Sequence, residues 1–169
     1  MPNQLTHSNT NFPVRTFPLK IICDGLQSPA NIGSLFRISE AFGVSEIIFC
    51  NAEIDFTSSR LRKTARNTEK KVPYRISENI SEEISLLKKE DYNLVALELT
   101  DESAPIEKMK IEAGEKIALV IGNEQHGVSN SILNLVSQCV HIPMFGENSS
   151  LNVTQATGIA LFTLTKLLK

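Results

Sequence analysis

The feature that most limits the fold is the order of elements in the first ordered stretch of the chain. Leu19–Cys23 reads as a buried strand and is closed by Asp24-Gly25. Ser28-Pro29-Ala30-Asn31 follows as a helix entry, with Pro29 at a first-turn position that needs no amide donor. The helix runs to about Phe42, with Ile32, Leu35, Phe36 and Phe42 as its apolar stripe and Gly43 as its stop. Glu46–Cys50 is a second strand. A strand–helix–strand order at this spacing implies a parallel pair, because a crossover of this length returns the chain in the same direction.

The rest of the chain repeats the alternation. Ser58–Asn67 reads as a basic helix and Val72–Arg75 as a short strand. Asn79–Lys89 is amphipathic, with Ile80, Ile84 and Leu87 inward and Glu82, Glu83, Lys88 and Lys89 outward. Asn93–Leu97, Lys116–Ile121 and Gln138–Ile142 are strands, and Pro105–Glu112 is ambiguous between types. Ser129 is placed to cap a short helix to about Val136. Asn152, with Gln155 three residues on, is placed to cap a last helix in which Val153, Ala156, Thr157, Ala160, Leu161, Leu164, Leu167 and Leu168 recur at helical spacing. The expected class is α/β, a mostly parallel sheet flanked by helices. Residues 1–16, rich in Asn, Thr and Pro, read as a flexible arm, and 17–169 as a single domain.

Composition narrows the setting. No apolar run is long enough to span a bilayer, and the N-terminus lacks the charged and apolar regions of a secretory signal. Cys23, Cys50 and Cys139 are an odd, scattered set in apolar runs, which points to reduced core thiols and a cytoplasmic setting rather than disulfides or a metal site. The net charge of -2 does not mark a nucleic-acid binder. Its distribution does point that way: Arg60, Arg62, Lys63, Arg66, Lys70, Lys71 and Arg75 fall together against only Glu69. A local basic patch on an acidic body suits contact with phosphates at one place, whereas a merely solvated helix face would share the composition.

Three loops follow strands, and in open α/β sheets ligands bind outside the carboxyl ends of the strands. The first carries Asn31-x-Gly33-x-x-x-Arg37. Gly33 and Arg37, four apart, share a helix face, so the missing side chain of Gly33 leaves room for the guanidinium along the helix. The second, Ile121-Gly122-Asn123-Glu124-Gln125-His126-Gly127-Val128-Ser129, has neither the G-x-G-x-x-G spacing of a dinucleotide fold nor a Gly-Lys-Ser/Thr phosphate loop. Glu124 can accept hydrogen bonds or pair with Arg37; His126, in a polar turn, reads as an exposed residue before a general base. The third runs from Ile142-Pro143-Met144 through Ser149-Ser150-Leu151-Asn152 to Ala156, with Ser150 and Asn152 at the positive end of a helix.

Together these three ordered motifs resemble those of the SpoU (TrmH-like) RNA 2′-O-ribose methyltransferases of the SPOUT class. The resemblance covers the chain from about Leu19 onward; Thr154-Gln155 departs from it, standing where small residues are commoner. It implies a C-terminal deep trefoil knot in the α/β domain, bound S-adenosyl-L-methionine, a homodimer with its site near the interface, and methyl transfer to a ribose 2′-OH of tRNA or rRNA. Carried onto this chain, it implies a catalytic set of Asn31, Arg37, Glu124, Ser150 and Asn152. It implies cofactor contacts at Leu97, Glu98, Leu99, Val120, Ile121, Gly122, Ile142, Pro143, Met144, Leu151, Asn152 and Ala156. No metal and no membrane contact is expected. RNA binding falls to Arg60, Arg62, Lys63, Arg66, Lys70 and Lys71, the N-terminal arm and the dimer partner, since no appended RNA-binding domain is read in the chain.

The resemblance makes Arg37 the base. A guanidinium is normally protonated, with pKa above ~12, so the physical preference is different. Arg37 holds the 3′-phosphate of the target nucleotide, and that phosphate or a transiently neutral guanidine takes the proton. Two other readings stand beside the enzyme: a non-catalytic RNA-binding module on the same scaffold, and a nucleotide-binding oxidoreductase, against which the missing glycine fingerprint counts.

Overall fold

The computed structural model describes residues 2–5, 9–148 and 150–169. Of the sequence readings, Met1 and Thr6–Ser8 of the arm and Ser149 of the third loop lie outside the described residues. The elements in chain order are β1 (Leu19–Asp24), α1 (Pro29–Ala41), β2 (Glu46–Cys50), α2 (Ser59–Ala65), β3 (Tyr74–Ser77), α3 (Ile80–Lys89), β4 (Tyr92–Leu97), β5 (Ala104–Pro105), β6 (Lys116–Ile121), α4 (Asn130–Leu133), β7 (Gln138–His141) and α5 (Val153–Leu167). Single turns of 3-10 helix stand at Thr68–Lys70 and Ile106–Lys108.

Among the described residues the seven strands form one sheet in the order β3-β2-β1-β6-β4-β7-β5, and every pairing is parallel. Such a sheet must be covered on both faces, and it is. On one face Leu19, Ile21, Phe49, Leu119 and Ile121 pack with Leu35 and Phe36 of α1, Leu61 and Ala65 of α2, and Ala160, Leu161 and Leu164 of α5. On the other, Ile22, Ile48, Leu94, Ala96 and Val120 pack with Ile84 and Leu87 of α3 and Ile132 of α4. The alternation of strand side chains sends successive residues of β1 and β6 into opposite cores.

The differences from the sequence reading are local. β3 begins two residues later than expected because Pro73 has no N–H for the ladder; only its carbonyl takes part, accepting from Ile47. The ambiguous segment is a two-residue strand followed by one 3-10 turn. α4 is shorter than expected, and Ser129 does not cap it through its side chain. Its N–H and hydroxyl both go to Asp24 Oδ2, at 3.0 and 2.8 Å. The last residues of the arm are tied down: Phe17 is buried, its N–H donates to Gly43 O at 2.8 Å, and the Arg15 guanidinium lies 4.6 Å from the Phe17 ring centroid.

Gly33 is explained by packing. A Cβ there would run into Thr64 Oγ1, the carbonyl of Leu61 and the backbone N of Ala65. The glycine therefore lets α1 and α2 touch; it is not a berth for Arg37, whose side chain is exposed. This close approach sets the basic helix α2 against the part of α1 that carries Asn31 and Arg37.

Candidate active site

The β1–α1, β6–α4 and β7–α5 loops leave the same edge of the sheet, as a parallel order requires. Hydrogen bonds join them. Asn123 is the hub of the second loop. Its N–H and C=O pair with those of Gly127 at 3.0 Å, and its Oδ1 accepts from Gln125 N–H at 2.7 Å. Its Nδ2 reaches across to Gly25 O at 2.8 Å. Gly122 precedes it where a side chain would strike the Gly127–Val128 backbone, so the loop can double back only on a glycine.

Glu124 then clasps the first loop. Oε1 accepts from Ser28 N–H and from Asn31 Nδ2, both at 2.9 Å, and Oε2 accepts from Gln27 N–H at 3.3 Å. Partial desolvation alone would push this carboxyl up. The hydrogen bonds, chiefly that from Asn31, outweigh it and hold the group below the usual glutamate range. A carboxylate accepting from the amides of Gln27 and the N-cap Ser28 also lies at the positive end of α1 and complements it. Of the two roles open to Glu124, accepting hydrogen bonds or pairing with Arg37, the structure shows the first: the carboxylate is committed to this helix start.

Asn31 extends the chain of contacts to the third loop: its Oδ1 accepts from Asn152 Nδ2 at 3.1 Å. Asn152 caps α5 as the sequence predicted, its Oδ1 accepting from Thr154 N–H at 3.0 Å, Thr154 Oγ1–H at 2.7 Å and Gln155 N–H at 3.4 Å. A continuous polar path thus runs Glu124–Asn31–Asn152 through three distant segments.

Arg37 is not on that path. It stands six residues past Asn31, about 9 Å up α1 at 1.5 Å per residue. It is exposed and makes no hydrogen bond or ion pair among the described residues. Its guanidinium is therefore available to a phosphate.

Beside the path lies a cleft lined by Leu97, Glu98, Leu99, His141, Ile142, Met144, Ser150, Leu151 and Ala156. Seven of the cofactor positions read from the sequence line it, with Ser150 from the catalytic set. Val120, Ile121, Gly122 and Pro143 do not: Val120 and Ile121 are wholly buried in the sheet, and Gly122 is buried under its own loop. Asn152 is taken up by Asn31 and by capping α5. Glu98 has a second task. Its Oε2 accepts from Val128 N–H at 2.8 Å and its Oε1 from Leu99 N–H at 3.1 Å, so it ties the second loop to the end of β4.

Three residues escaped the sequence reading. Asn123 sits inside a motif that drew attention to its neighbours, and an amide directly after a strand-ending glycine was the available signal. Asp24, closing β1, holds Ser129. His141 lines the cleft one residue before the third motif, and no local pattern marks it.

The basic residues are unequal. Arg60, Arg62, Lys63, Arg66 and Lys70 are exposed, and Arg62 donates to Thr57 O at 2.8 Å. Lys71 is also exposed but pairs with Glu40 at 3.2 Å. Arg75 is not part of a free patch: it bridges Glu46 and Glu83 at 2.5 Å each, which holds the Glu46 carboxyl low against the upward pull of its own burial. Among the described residues no His, Cys, Asp and Glu group is placed to hold a metal, and no helix is long and apolar enough to cross a membrane.

An all-parallel sheet with an apolar cleft and a polar triad at its carboxyl edge defines a ligand-binding α/β domain. Residues 18–162 match the SpoU rRNA Methylase family, and the chain belongs to that family. Among curated proteins it is 33% identical over 145 residues to the 23S rRNA (guanosine-2′-O-)-methyltransferase RlmB of Blochmanniella floridana, covering 86% of this chain and 56% of that protein. Among solved structures it resembles the A. aeolicus TrmH/SpoU tRNA modifying enzyme, with a TM-score of 0.79 and 26% identity over 91% of this chain and 77% of that one. It also resembles the SpoU methyltransferase AviRb of Streptomyces viridochromogenes in complex with AdoMet, with a TM-score of 0.80 and 26% identity over 91% of this chain and 62% of that one. The chain spans a little over half the length of the curated relatives it matches.

Proposed function

We propose that this protein transfers a methyl group from S-adenosyl-L-methionine to a ribose 2′-OH of tRNA or rRNA. The observation that carries the reading is the Glu124–Asn31–Asn152 path, which joins the three family motifs beside a cleft lined by seven of the expected cofactor positions. The names of the relatives, and the AdoMet in the AviRb structure, support it.

The cleft suits such a ligand. Leu97, Leu99, Ile142, Met144, Leu151 and Ala156 offer aliphatic walls to a purine and a methionine chain, and Glu98, His141 and Ser150 place polar groups among them. When bound there, the cofactor supplies a methyl already activated on a sulfonium. The chain's own residues then have two tasks, aligning the hydroxyl and removing its proton. Glu124 fixes Asn31, and Asn31 and Asn152 orient each other at the mouth of the cleft. Arg37 holds the 3′-phosphate of the target nucleotide in its planar fork, and the proton passes to that phosphate or to a transiently neutral guanidine. Positioning of this kind lowers a barrier by several kcal/mol, about 7–11 at best.

RNA is held by Arg60, Arg62, Lys63, Arg66, Lys70 and Lys71, since α2 packs on the part of α1 between Asn31 and Arg37. We also read the protein as a homodimer. Ile159 and Phe162 of α5 are 44% and 51% exposed, one helical turn apart, a face that suits a second copy bringing further groups to Arg37. A C-terminal trefoil knot is part of the same reading: β7 lies between β4 and β5, so the last strand fills a slot between two earlier ones. A cytoplasmic setting fits the free thiols and an RNA substrate. Incubating the protein with labelled S-adenosyl-L-methionine and RNA from cells lacking it tests the reaction. Label at ribose 2′-O positions supports it; tight RNA binding without cofactor binding would select the non-catalytic module instead.

A further inference from the structure

The cleft has three polar side chains in its lining, and two are accounted for. Glu98 is engaged by Val128 and Leu99 N–H, and Ser150 stands exposed. His141 remains. Its Nδ1 lies 2.9 Å from Ser103 Oγ. The same Oγ accepts from Thr100 N–H at 2.9 Å and stands 2.8 Å from Thr100 O. A carbonyl oxygen only accepts, so the contact with Thr100 O uses the one hydroxyl proton of Ser103. Toward the imidazole, Ser103 can then only accept. His141 Nδ1 must be the donor, and a neutral ring protonated there has a bare Nε2.

His141 lines the cleft and Ser103 does not, so with Nδ1 held by Ser103 the ring nitrogen left for a ligand is Nε2. Leu97, Ile142 and Met144 line the cleft with it, an aliphatic surface suited to a flat base. We propose that the Thr100–Ser103 turn fixes His141 as the Nδ1–H tautomer so that Nε2 accepts a hydrogen bond from the exocyclic amino group of the cofactor's adenine. His141 is thus a residue for cofactor recognition, and Ser103 is its positioning residue. The inference rests on the assignment of this cleft to S-adenosyl-L-methionine.

Two measurements test it. Nitrogen-15 spectra of the free protein at mildly alkaline pH, where imidazole is neutral, read the tautomer without any ligand. The expected result is an Nδ1-protonated His141 that becomes a tautomeric mixture in Ser103→Ala; an Nε2-protonated ring in the unaltered protein overturns the proposal. Calorimetry with S-adenosylhomocysteine and S-inosylhomocysteine, which differ at the amino group, reads recognition. The unaltered protein should prefer the adenosyl compound about tenfold, the size of one well-made hydrogen bond. His141→Ala should lose most of that preference. His141→Gln, whose Oε1 can stand near the Nε2 position, should restore part of it, and His141→Asn should not. An unchanged preference in His141→Ala overturns the role of His141 while leaving the cofactor assignment intact. No binding of S-adenosylhomocysteine by the unaltered protein overturns both.

Discussion

Asn31 stands between two partners far along the chain, one in the second loop and one in the third: its Nδ2 donates to Glu124 at 2.9 Å, and its Oδ1 accepts from Asn152 at 3.1 Å. The amide does both at once because it carries its donor and its acceptor on separate atoms of one short side chain. That fixes the orientation of the Asn31 amide and gives the three loops a common element.

Asn31→Ala should cost about 1–2 kcal/mol in denaturant unfolding, from two lost hydrogen bonds and a carboxylate with one donor fewer. Asn31→Asp is isosteric but sets a carboxylate against Glu124, so it should be less stable than Asn31→Ala at neutral pH and recover as the pH falls. Equal stability of the two variants across pH would show that the Glu124–Asn31 contact is not made.

Gly33→Ala should destabilise by about 1–3 kcal/mol, because the added methyl meets not only the Thr64 side chain but also the Leu61 carbonyl and Ala65 N of α2, backbone that cannot swing aside. At this chain length each kcal/mol lowers the melting midpoint by about 2–4 °C. A midpoint unchanged or raised, as helix propensity alone would give, would contradict the close approach of the two helices.

The hydrogen-bonded Glu124 carboxyl makes the site acid-sensitive in a defined direction. Its folded pKa lies below the unfolded one, so its stabilisation is complete above the ordinary glutamate value near ~4.3 and is lost as the pH falls through the lowered folded value. Glu124→Gln should flatten the acid limb of the stability curve measured by thermal melting. An acid limb as steep as in the unaltered protein would assign the effect to other carboxylates, such as Glu46.

Basic residues of the same stretch should separate into two classes. Arg62→Ala and Lys63→Ala should weaken RNA binding and reduce the slope of log affinity against log salt by about one each, with stability little changed. Arg75→Met should do the reverse, since it takes the cation from Glu83 and leaves Glu46 with Lys20 alone, without removing a free cation. RNA affinity that falls equally in all three variants would mean that Arg75 breaks its ion pairs to bind.

Much of this was legible in the sequence, and for identifiable reasons. The strand and helix order needed only hydrophobic periodicity, and the Asn152 cap only the chemistry of a side-chain oxygen before a helix. The cleft walls at Leu97–Leu99 and Ile142–Met144 followed from the family motifs. What stayed hidden depends on which distant atoms meet. The sequence leaves Glu124 either to accept hydrogen bonds or to pair with Arg37, and only the fold gives it to amides at the start of α1. Gly33 was read against its own helix and answers to a neighbouring one. His141 has no signature because its role depends on Ser103, 38 residues earlier in the chain.

The central claim is that the three joined loops and the free Arg37 guanidinium make a methyl-transfer site for RNA ribose. Its most direct measurement is labelled methyl transfer from S-adenosyl-L-methionine to RNA by the unaltered protein and by Arg37→Lys, with cofactor affinity measured for both. The account predicts site-specific 2′-O-methylation that falls by most of its rate in Arg37→Lys, because a point charge cannot replace the planar fork, while cofactor affinity is unchanged. Near-normal transfer by Arg37→Lys, or cofactor binding with no transfer to any RNA, would contradict it.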